Sequence, residues 1–354
     1  MTTKVKGYKV EGSQFSNFGV SLVERRALRD DDVEIDIKYC GICHSDIMIV
    51  QNNQPGNGIV PGHEIAGVVK SVGKAVTNFK VGDHVGIGCF VNSCSNCEYC
   101  KRGDEQFCDK GVVIVFNSKD YDGAITYGGY TQTIIVRDKF VLHIPESLDL
   151  AMASPLLCAG VTTYSPLKRY NIGKGSRVAI MGLGGLGHLG VQFAHAMGAE
   201  VTVLGHSESK KEEAKKLGAD CYEILKTDED FKKYYRTFDF ILNCATANLS
   251  LDNHIKLLKP NGVLCFVSIV PEEQKFTEMN LFGNQATITV SNVGGIDITQ
   301  EMLNFSAEKG IKPMIEMIKV KDIPEAYQKI IDCKVHYRYV IDMSSIDDMP
   351  VEKN

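Results

Sequence analysis

Several features are missing from this sequence, beginning with any apolar run that approaches the roughly 20 residues of a membrane-spanning helix. The first residues, Met1-Thr-Thr-Lys-Val-Lys-Gly-Tyr8, include neither the apolar segment nor the small-residue cleavage site of a secretory signal. Low-complexity tracts and internal repeats are also absent. We therefore expect a cytoplasmic protein with no membrane partner, in a compartment that keeps thiols reduced.

An excess of basic residues is missing too. Lys and Arg number 39 against 44 Asp and Glu, the formal net charge is −5, and the two signs are interleaved along the chain. No basic face is predicted for nucleic acid, so a small molecule is the expected partner. The length of 354 residues exceeds the size at which one hydrophobic core usually keeps growing, which predicts two domains.

The chain changes character along its length. Up to about residue 150 it is rich in glycine and short β-like runs, such as the alternation Val33-Glu-Ile-Asp-Ile-Lys-Tyr39, which is typical of a half-buried strand. From about 175 to 290, apolar β-branched runs alternate with helical stretches. This second pattern predicts an α/β domain with a parallel sheet covered by helices on both faces.

Four cysteines follow one another at short intervals, in the order Cys94-x2-Cys97-x2-Cys100-x7-Cys108. Zinc prefers tetrahedral thiolate sites, and short spacers allow a single loop to wrap the ion. The alternative is two disulfide bonds, which the reducing compartment expected for this chain disfavours. We predict a structural zinc site at these four residues.

A glycine-rich run opens the alternating region, directly after its first strand and before its first helix. The run Gly182-Leu-Gly184-Gly185-Leu186-Gly187 matches the dinucleotide pattern, in which glycines allow close approach of a pyrophosphate to a helix N-terminus. An ordinary glycine-rich turn is the alternative. The position after a strand favours cofactor binding by these residues.

The end of the second strand indicates which nicotinamide cofactor fits. An NAD site usually has an acidic residue there, but this chain has Gly205, followed by His206, Ser207 and Lys210. Small, hydroxylic and cationic groups can accept a 2′-phosphate, which an acid would repel. We predict NADP(H), although a capping box beginning at Ser209 and ordinary solvated lysines would explain the same residues.

Two further segments in the β-rich part contain possible metal ligands. They are Cys40-Gly-Ile-Cys43-His44-Ser45-Asp46 and Gly62-His63-Glu64. A Cys, a His and a Glu outside the four-thiol loop could form a second, catalytic zinc site with an open position. Either segment alone would be unremarkable, because a single Cys or His more often belongs to the core.

Taken together, these segments resemble the zinc-dependent medium-chain alcohol dehydrogenases, most closely the cinnamyl alcohol dehydrogenase-like branch. The resemblance covers nearly the whole chain and also includes Pro155-Leu-Leu-Cys-Ala-Gly160 and Thr163-Tyr-Ser-Pro-Leu167. It implies a GroES-like β-rich catalytic domain at 1–154 and 296–354, with a Rossmann NADP(H)-binding domain at 155–295. It also implies a homodimer, joined near residues 284–292.

The resemblance assigns the site residues as well. Cys43, His63 and Cys158 would bind the catalytic zinc, with Glu64 as an intermittent fourth ligand. Ser45 would hydrogen-bond the substrate oxygen and relay its proton, and Asp46 would orient His63. Thr162 and Val293 would join the cofactor site. Zinc would polarise the substrate oxygen while hydride passes between substrate carbon and nicotinamide.

Two positions depart from the plant members of this branch. The relay in those relatives usually ends in a histidine three residues after the catalytic Ser or Thr, where this chain has Met48. They also tend to have a tryptophan at the position of Val113, whereas this chain contains no tryptophan at all. The first departure implies another route for the proton, and the second disfavours bulky phenylpropenyl aldehydes.

The sequence therefore predicts an NADPH-dependent aldehyde reductase, reversible as an alcohol dehydrogenase, that acts on primary aliphatic or simple aromatic substrates. Two other functions stay open at this point. One is a polyol or secondary-alcohol dehydrogenase of the same superfamily. The other is a non-catalytic NADP(H)-binding protein that has only the structural zinc.

Overall fold

The computed structural model describes residues 2–247, 249–270 and 272–352. The chain divides into two compact units, one formed by Met1–Cys158 with Gly294–Asn354 and the other by Ala159–Val293. Within the described ranges, no helix is both long and apolar enough to cross a membrane. The domain limits given by the resemblance remain a prediction.

The N-terminal part of the first unit is mostly β. Its strands are β1 (Thr3–Glu11), β2 (Phe18–Arg25), β3 (Asp32–Gly41), β4 (Gly58–Ile59), β5 (Ile65–Val72), β6 (His84–Ile87), β7 (Phe90–Asn92), β8 (Val113–Ile114), β9 (Thr133–Arg137) and β10 (Leu142–His143). Its helices are α1 (His44–Gln51), α2 (Glu98–Lys101) and α3 (Leu150–Pro155). The alternation at 33–39 lies inside β3, so that prediction is confirmed.

The second unit alternates strands with helices. Its strands are β11 (Arg177–Met181), β12 (Glu200–Leu204), β13 (Cys221–Glu223), β14 (Phe238–Asn243), β15 (Leu258–Phe266) and β16 (Thr287–Val290). Its helices are α4 (Val161–Arg169), α5 (Gly187–Ala196), α6 (Lys211–Lys216), α7 (Asp228–Lys233), α8 (Leu251–Ile255) and α9 (Glu278–Phe282). All neighbouring strands run parallel in the order β13-β12-β11-β14-β15-β16, which confirms the predicted parallel sheet.

The C-terminal segment returns to the first unit and completes its main sheet. It contains α10 (Ile296–Lys309), β17 (Ile315–Lys319), α11 (Ile323–Ile331) and β18 (Arg338–Asp342). The sheet has the order β10-β6-β5-β3-β18-β17, with β9 also paired to β3. Because β18 lies directly beside β3, residues near both ends of the chain meet at the centre of one sheet.

A π-helical turn, Leu156–Gly160, directly follows α3 and precedes α4. Pro155 ends α3, and its ring removes a backbone donor that a regular α-helix would use. Single π-helical turns of this kind occur frequently at functional sites. Cys158 lies in this turn and is buried.

Candidate metal centres and cofactor loop

Three separated segments of the first unit bring their side chains to one place. Ligand atoms of Cys43, His63, Glu64 and Cys158 all lie within 4.8 Å of one another. Cys43 precedes α1 at the end of β3, His63 and Glu64 precede β5, and Cys158 comes from the π-helical turn. The structure thus brings together the four residues that the resemblance assigned to one site.

The two thiols of this cluster have the separation that a shared metal would need. Cys43 Sγ lies 3.8 Å from Cys158 Sγ, and neither residue is in a disulfide. Two sulfurs that each lie about 2.3 Å from a tetrahedral zinc are separated by about 3.8 Å. The Cys₂His donor set and this spacing therefore fit zinc.

The thiols also influence each other's ionisation. A hydrogen bond from the Cys158 thiol lowers the pKa of Cys43, and nearby His63 and Arg338 act in the same direction. The same bond raises the pKa of Cys158. Cys43 is therefore the first of the two to become a thiolate, which is the form that binds a metal.

Asp46 holds two of the ligand segments with one carboxylate. Its Oδ1 lies 2.9 Å from His63 Nδ1 and accepts the Gly62 N–H at 3.0 Å, while Oδ2 accepts the Cys43 N–H at 2.9 Å. The side chain is fully buried. Because Nδ1 of His63 faces this carboxylate, Nε2 is the ring nitrogen that can bind a metal. This arrangement is usual for metal-binding histidines.

Glu64 has a cationic partner that no motif indicated. Its Oε1 pairs with Arg338 of β18, and both side chains are buried. Burial raises the pKa of Glu64 to about 7, although the Arg338 guanidinium opposes this shift. The other oxygen, Oε2, is buried without a hydrogen-bond partner, which is consistent with a carboxylate that can turn toward a metal.

Two neighbours complete the surroundings of this cluster. Ser45 Oγ, in the first turn of α1, lies 3.8 Å from Cys43 Sγ and is half-buried. Cys89, which follows β6, is hydrogen-bonded to the Cys158 thiol, and this hydrogen bond lowers the pKa of Cys89. Sequence reasoning did not single out Cys89, because no motif or spacing connects it with residue 158.

The four cysteines of the loop also converge, since their sulfurs lie within 4.8 Å of one another. Cys94 Sγ and Cys100 Sγ are 3.9 Å apart, and all four thiols are free, so the structure contains no disulfide there. The N–H groups of Cys94 and Cys97 donate to sulfurs at 3.3 and 3.4 Å. Such bonds favour thiolates, and the donor set fits a closed structural zinc site.

Backbone donors lower the pKa of one thiol of this loop, that of Cys108. Burial opposes ionisation of Cys108, but N–H groups of Cys94 and Lys110 outweigh it and lower the pKa of Cys108 to about 6. The Tyr121 hydroxyl lies 3.8 Å from the same sulfur. Cys108 is therefore prepared as a metal ligand at neutral pH.

The glycine run lies in the second unit, between β11 and α5, as the motif requires. Gly182 has φ +85°, and a Cβ on Gly187 would meet the Gly182 carbonyl oxygen at 1.9 Å. The tight turn therefore requires glycine at both positions. A Cβ placed on Gly184 would meet no other atom within 4 Å. The space beside Gly184 is therefore open, and a phosphate could occupy it.

The other predicted cofactor residues also belong to the second unit. Lys210 Nζ donates to the Leu183 carbonyl at 2.6 Å, so its ammonium reaches the glycine run. The capping box expected at Ser209 is wrong, because the N-cap residue of α6 is Lys210, whose side chain makes no cap bond. Ser207 Oγ accepts the Ser209 N–H at the start of the preceding 3₁₀ turn, Glu208–Lys210. His206 follows β12 and is exposed, and Thr162 is buried in α4. The backbone carbonyl of Val293 accepts a hydrogen bond from Ser165 Oγ at 2.5 Å.

Two known domain families match this chain. The family described as "Alcohol dehydrogenase GroES-like domain" matches residues 29–146, and the one described as "Zinc-binding dehydrogenase" matches residues 185–308. The chain is 53% identical to a probable formaldehyde dehydrogenase of Bacillus subtilis, over 94% of this chain and 95% of that protein. It is 48% identical to an NADP-dependent alcohol dehydrogenase C of Mycolicibacterium smegmatis, over 92% and 94%.

Solved structures agree with these relatives. A cinnamyl alcohol dehydrogenase from Sorghum bicolor superimposes with a TM-score of 0.91 at 35% identity, covering 99% of this chain and 100% of that one. A structure from Helicobacter pylori, described as CAD complexed with NADP(H), has a TM-score of 0.89 at 39% identity, covering 97% and 99%. The predicted fold class, a GroES-like domain with a Rossmann parallel sheet, is confirmed.

Proposed function

Because this chain belongs to the zinc-binding alcohol dehydrogenase family, we propose that it interconverts primary alcohols and aldehydes with NADP(H), acting mainly as an aldehyde reductase. The family membership confirms the resemblance inferred from the motifs. The observation that carries the proposal is the convergence of Cys43, His63, Glu64 and Cys158 within 4.8 Å. The chain is 44% identical to an aldehyde reductase of Escherichia coli over 92% of its length, and this similarity supports aldehyde reduction as the main direction.

The protein residues would divide the work at the catalytic site. Cys43, His63 and Cys158 would hold zinc, which when bound acts as a Lewis acid toward the substrate oxygen. Asp46 fixes the orientation of His63, and Ser45 hydrogen-bonds the substrate oxygen and exchanges its proton. Glu64, held by Arg338, supplies a carboxylate that can approach the same position.

The proton must then reach solvent from Ser45. Met48, where plant relatives have a histidine, is half-buried in α1 and has no group that can accept a proton. We therefore assign proton release to water molecules that contact the Ser45 hydroxyl. On this route the serine hydroxyl passes the proton directly to water, and no titrating side chain is needed.

The cofactor would be held by the second unit, in which the glycine run binds the pyrophosphate at the start of α5. Ser207 and Lys210 would accept the 2′-phosphate, and His206, Thr162 and Val293 would complete the cofactor contacts. When bound, NADPH supplies the hydride. Together with the four-cysteine loop, the proposal therefore requires two zinc ions and one NADP(H) per chain.

A substrate and cofactor panel tests the proposed function. We expect the protein to oxidise NADPH in the presence of benzaldehyde and medium-chain aldehydes, with a higher kcat/KM than with NADH. Cinnamaldehyde should be a poorer substrate, because the buried Val113 replaces the aromatic residue of plant relatives. Faster turnover of ketones or sugar alcohols would favour the polyol or secondary-alcohol alternative. No turnover by protein that contains two zincs would contradict the proposal.

Replacing Asp46 by asparagine tests the orientation of His63. The variant loses the charge that faces Nδ1, so we expect zinc affinity of the catalytic site and kcat/KM to fall by about 10- to 100-fold. Titration with a competing chelator measures the affinity, and the four-cysteine site provides an internal control that should keep its zinc. Wild-type affinity and activity in this variant would show that Asp46 only caps α1.

We also propose the homodimer implied by the family. Among the described strands, β16 pairs only with β15, so its other edge is open. Val290 of this strand is 68% exposed, and Phe282 and Met279 of α9 are 79% and 70% exposed. Sedimentation velocity should show twice the mass of one chain for the wild type and a monomer for Phe282→Glu. A monomeric wild type would refute the dimer.

A further inference from the structure

The loop that contains the four cysteines also contacts the start of helix α10. Glu105 lies in this loop, between Cys100 and Cys108, and the residue is 1% exposed. Its Oε2 accepts the N–H of Ile296 at 3.1 Å, and Ile296 is the first residue of α10. A residue of the loop thus binds a backbone group 191 positions later in the chain.

This contact takes the place of a local helix cap. The N-cap residue of α10 is Gly295, which has no side chain to satisfy the first N–H groups of the helix. A carboxylate at this end is also favoured by the helix dipole. The other oxygen of Glu105 lies 3.3 Å from Lys139 Nζ, so the buried charge is compensated.

The two backbones are in direct contact at this point. A Cβ on Gly295 would lie 1.7 Å from the Gly103 carbonyl oxygen and 2.7 Å from Glu105 Oε2. Only glycine can occupy position 295 without moving the loop away from the helix. The first turn of α10 therefore packs directly against the four-cysteine loop.

The residue just before this contact belongs to the proposed cofactor site. Val293 precedes Gly295 by two residues, and its φ of +50° is unusual for a β-branched side chain. The backbone carbonyl of Val293 accepts a hydrogen bond from Ser165 Oγ at 2.5 Å. Within the second unit Val293 is thus held by Ser165, and within the first unit Ile296 is held by Glu105.

We propose that Glu105 is a positioning residue for the cofactor: it connects the structural zinc loop to the segment that presents Val293 to the nicotinamide. The inference rests on the proposed function, in which Val293 contacts the cofactor. It gives the four-cysteine loop a role beyond local stability, because the loss of the Glu105 contact would alter the start of α10, three residues after Val293.

The test compares Glu105→Leu with Glu105→Gln in the zinc-loaded protein. Leucine removes the acceptor for the Ile296 N–H, whereas glutamine keeps an acceptor oxygen of similar reach. We expect Glu105→Leu to weaken NADPH binding by about tenfold and Glu105→Gln to restore it to near the wild-type value. Nicotinamide fluorescence measures the dissociation constant without any substrate, and the primary deuterium isotope effect with 4-deuterated NADPH then reports on hydride transfer.

Two further variants separate positioning from general stability. Lys139→Met removes the other partner of the same carboxylate but leaves the Ile296 contact, so NADPH affinity should remain near the wild-type value. Gly295→Ala separates the loop from the helix without altering any charge, and it should reproduce the loss seen with Glu105→Leu. It also serves as the substitute if the leucine variant fails to fold.

The outcomes distinguish this inference from the proposed function. A lowered melting temperature with unchanged NADPH affinity and isotope effect in Glu105→Leu would overturn the positioning role and leave only a structural one. Equal losses in Glu105→Leu and Lys139→Met would also overturn it, because they would indicate the buried charge rather than the Ile296 contact. Wild-type protein that binds NADPH but reduces no aldehyde would instead contradict the proposed function.

Discussion

Replacement of Cys43 by alanine is expected to abolish aldehyde reduction while leaving NADPH binding unchanged. Cys43 is the thiol whose pKa is lowered by Cys158 and His63, so its loss removes the strongest candidate ligand of the cluster. Without zinc at this site the Lewis acid is lost, and this contribution is worth several kcal/mol. We expect kcat/KM to fall by about 10³-fold or more, as measured with NADPH and benzaldehyde.

Cys40 provides a matched control for this variant. It is also a buried cysteine at the end of β3, but it lies outside the metal cluster, and burial raises the pKa of its thiol. We expect Cys40→Ala to keep two zincs and most of the activity, whereas Cys43→Ala should keep one zinc. Substantial activity in zinc-depleted Cys43→Ala would refute the role assigned to this residue.

Replacement of Ser45 by alanine is expected to produce the second largest loss. The hydroxyl lies 3.8 Å from Cys43 Sγ in the first turn of α1, so in the proposed mechanism its removal leaves the substrate oxygen without its proton donor. Proton transfer by a positioned side chain typically contributes about 10²- to 10⁴-fold, and we expect kcat to fall at least about 10²-fold. Steady-state kinetics over a range of pH measures the effect.

Ser45→Thr is the conservative comparison, because it retains the hydroxyl at the same position of the helix. This variant should recover most of the wild-type kcat, and both Ser45 variants should contain the full amount of zinc. If Ser45→Ala reduced aldehydes as fast as wild type, the relay would have to begin at another group, and the hydroxyl would be a simple turn residue.

The parts of the site that the sequence predicted are those with local signals. The four cysteines lie in one short loop, so their spacing alone indicated a metal site. The glycine run could be placed because a strand precedes it and a helix follows it, as the structure confirms. The parallel sheet followed from apolar β-branched runs that alternate with helical stretches, since each run is buried in its strand.

The remaining residues depend on contacts that no spacing rule describes. Cys158 reaches the cluster from a π-helical turn 115 residues after Cys43, and only the resemblance selected it. Arg338, which pairs with Glu64, lies 274 residues away and arrives through the pairing of β18 with β3. The 3₁₀ turn that Ser207 caps ahead of α6 was also not predicted, because Ser207 and Ser209 satisfy the same preference for a cap residue.

The zinc content per chain shows directly whether Cys43, His63 and Cys158 bind a metal. The protein would be saturated with zinc, freed of unbound metal by gel filtration, and analysed by elemental mass spectrometry beside Cys43→Ala. We expect two zincs per wild-type chain and one per Cys43→Ala chain, with activity only in the wild type. One zinc in both proteins, with the four-cysteine loop as its site, would contradict a catalytic metal at Cys43, His63 and Cys158.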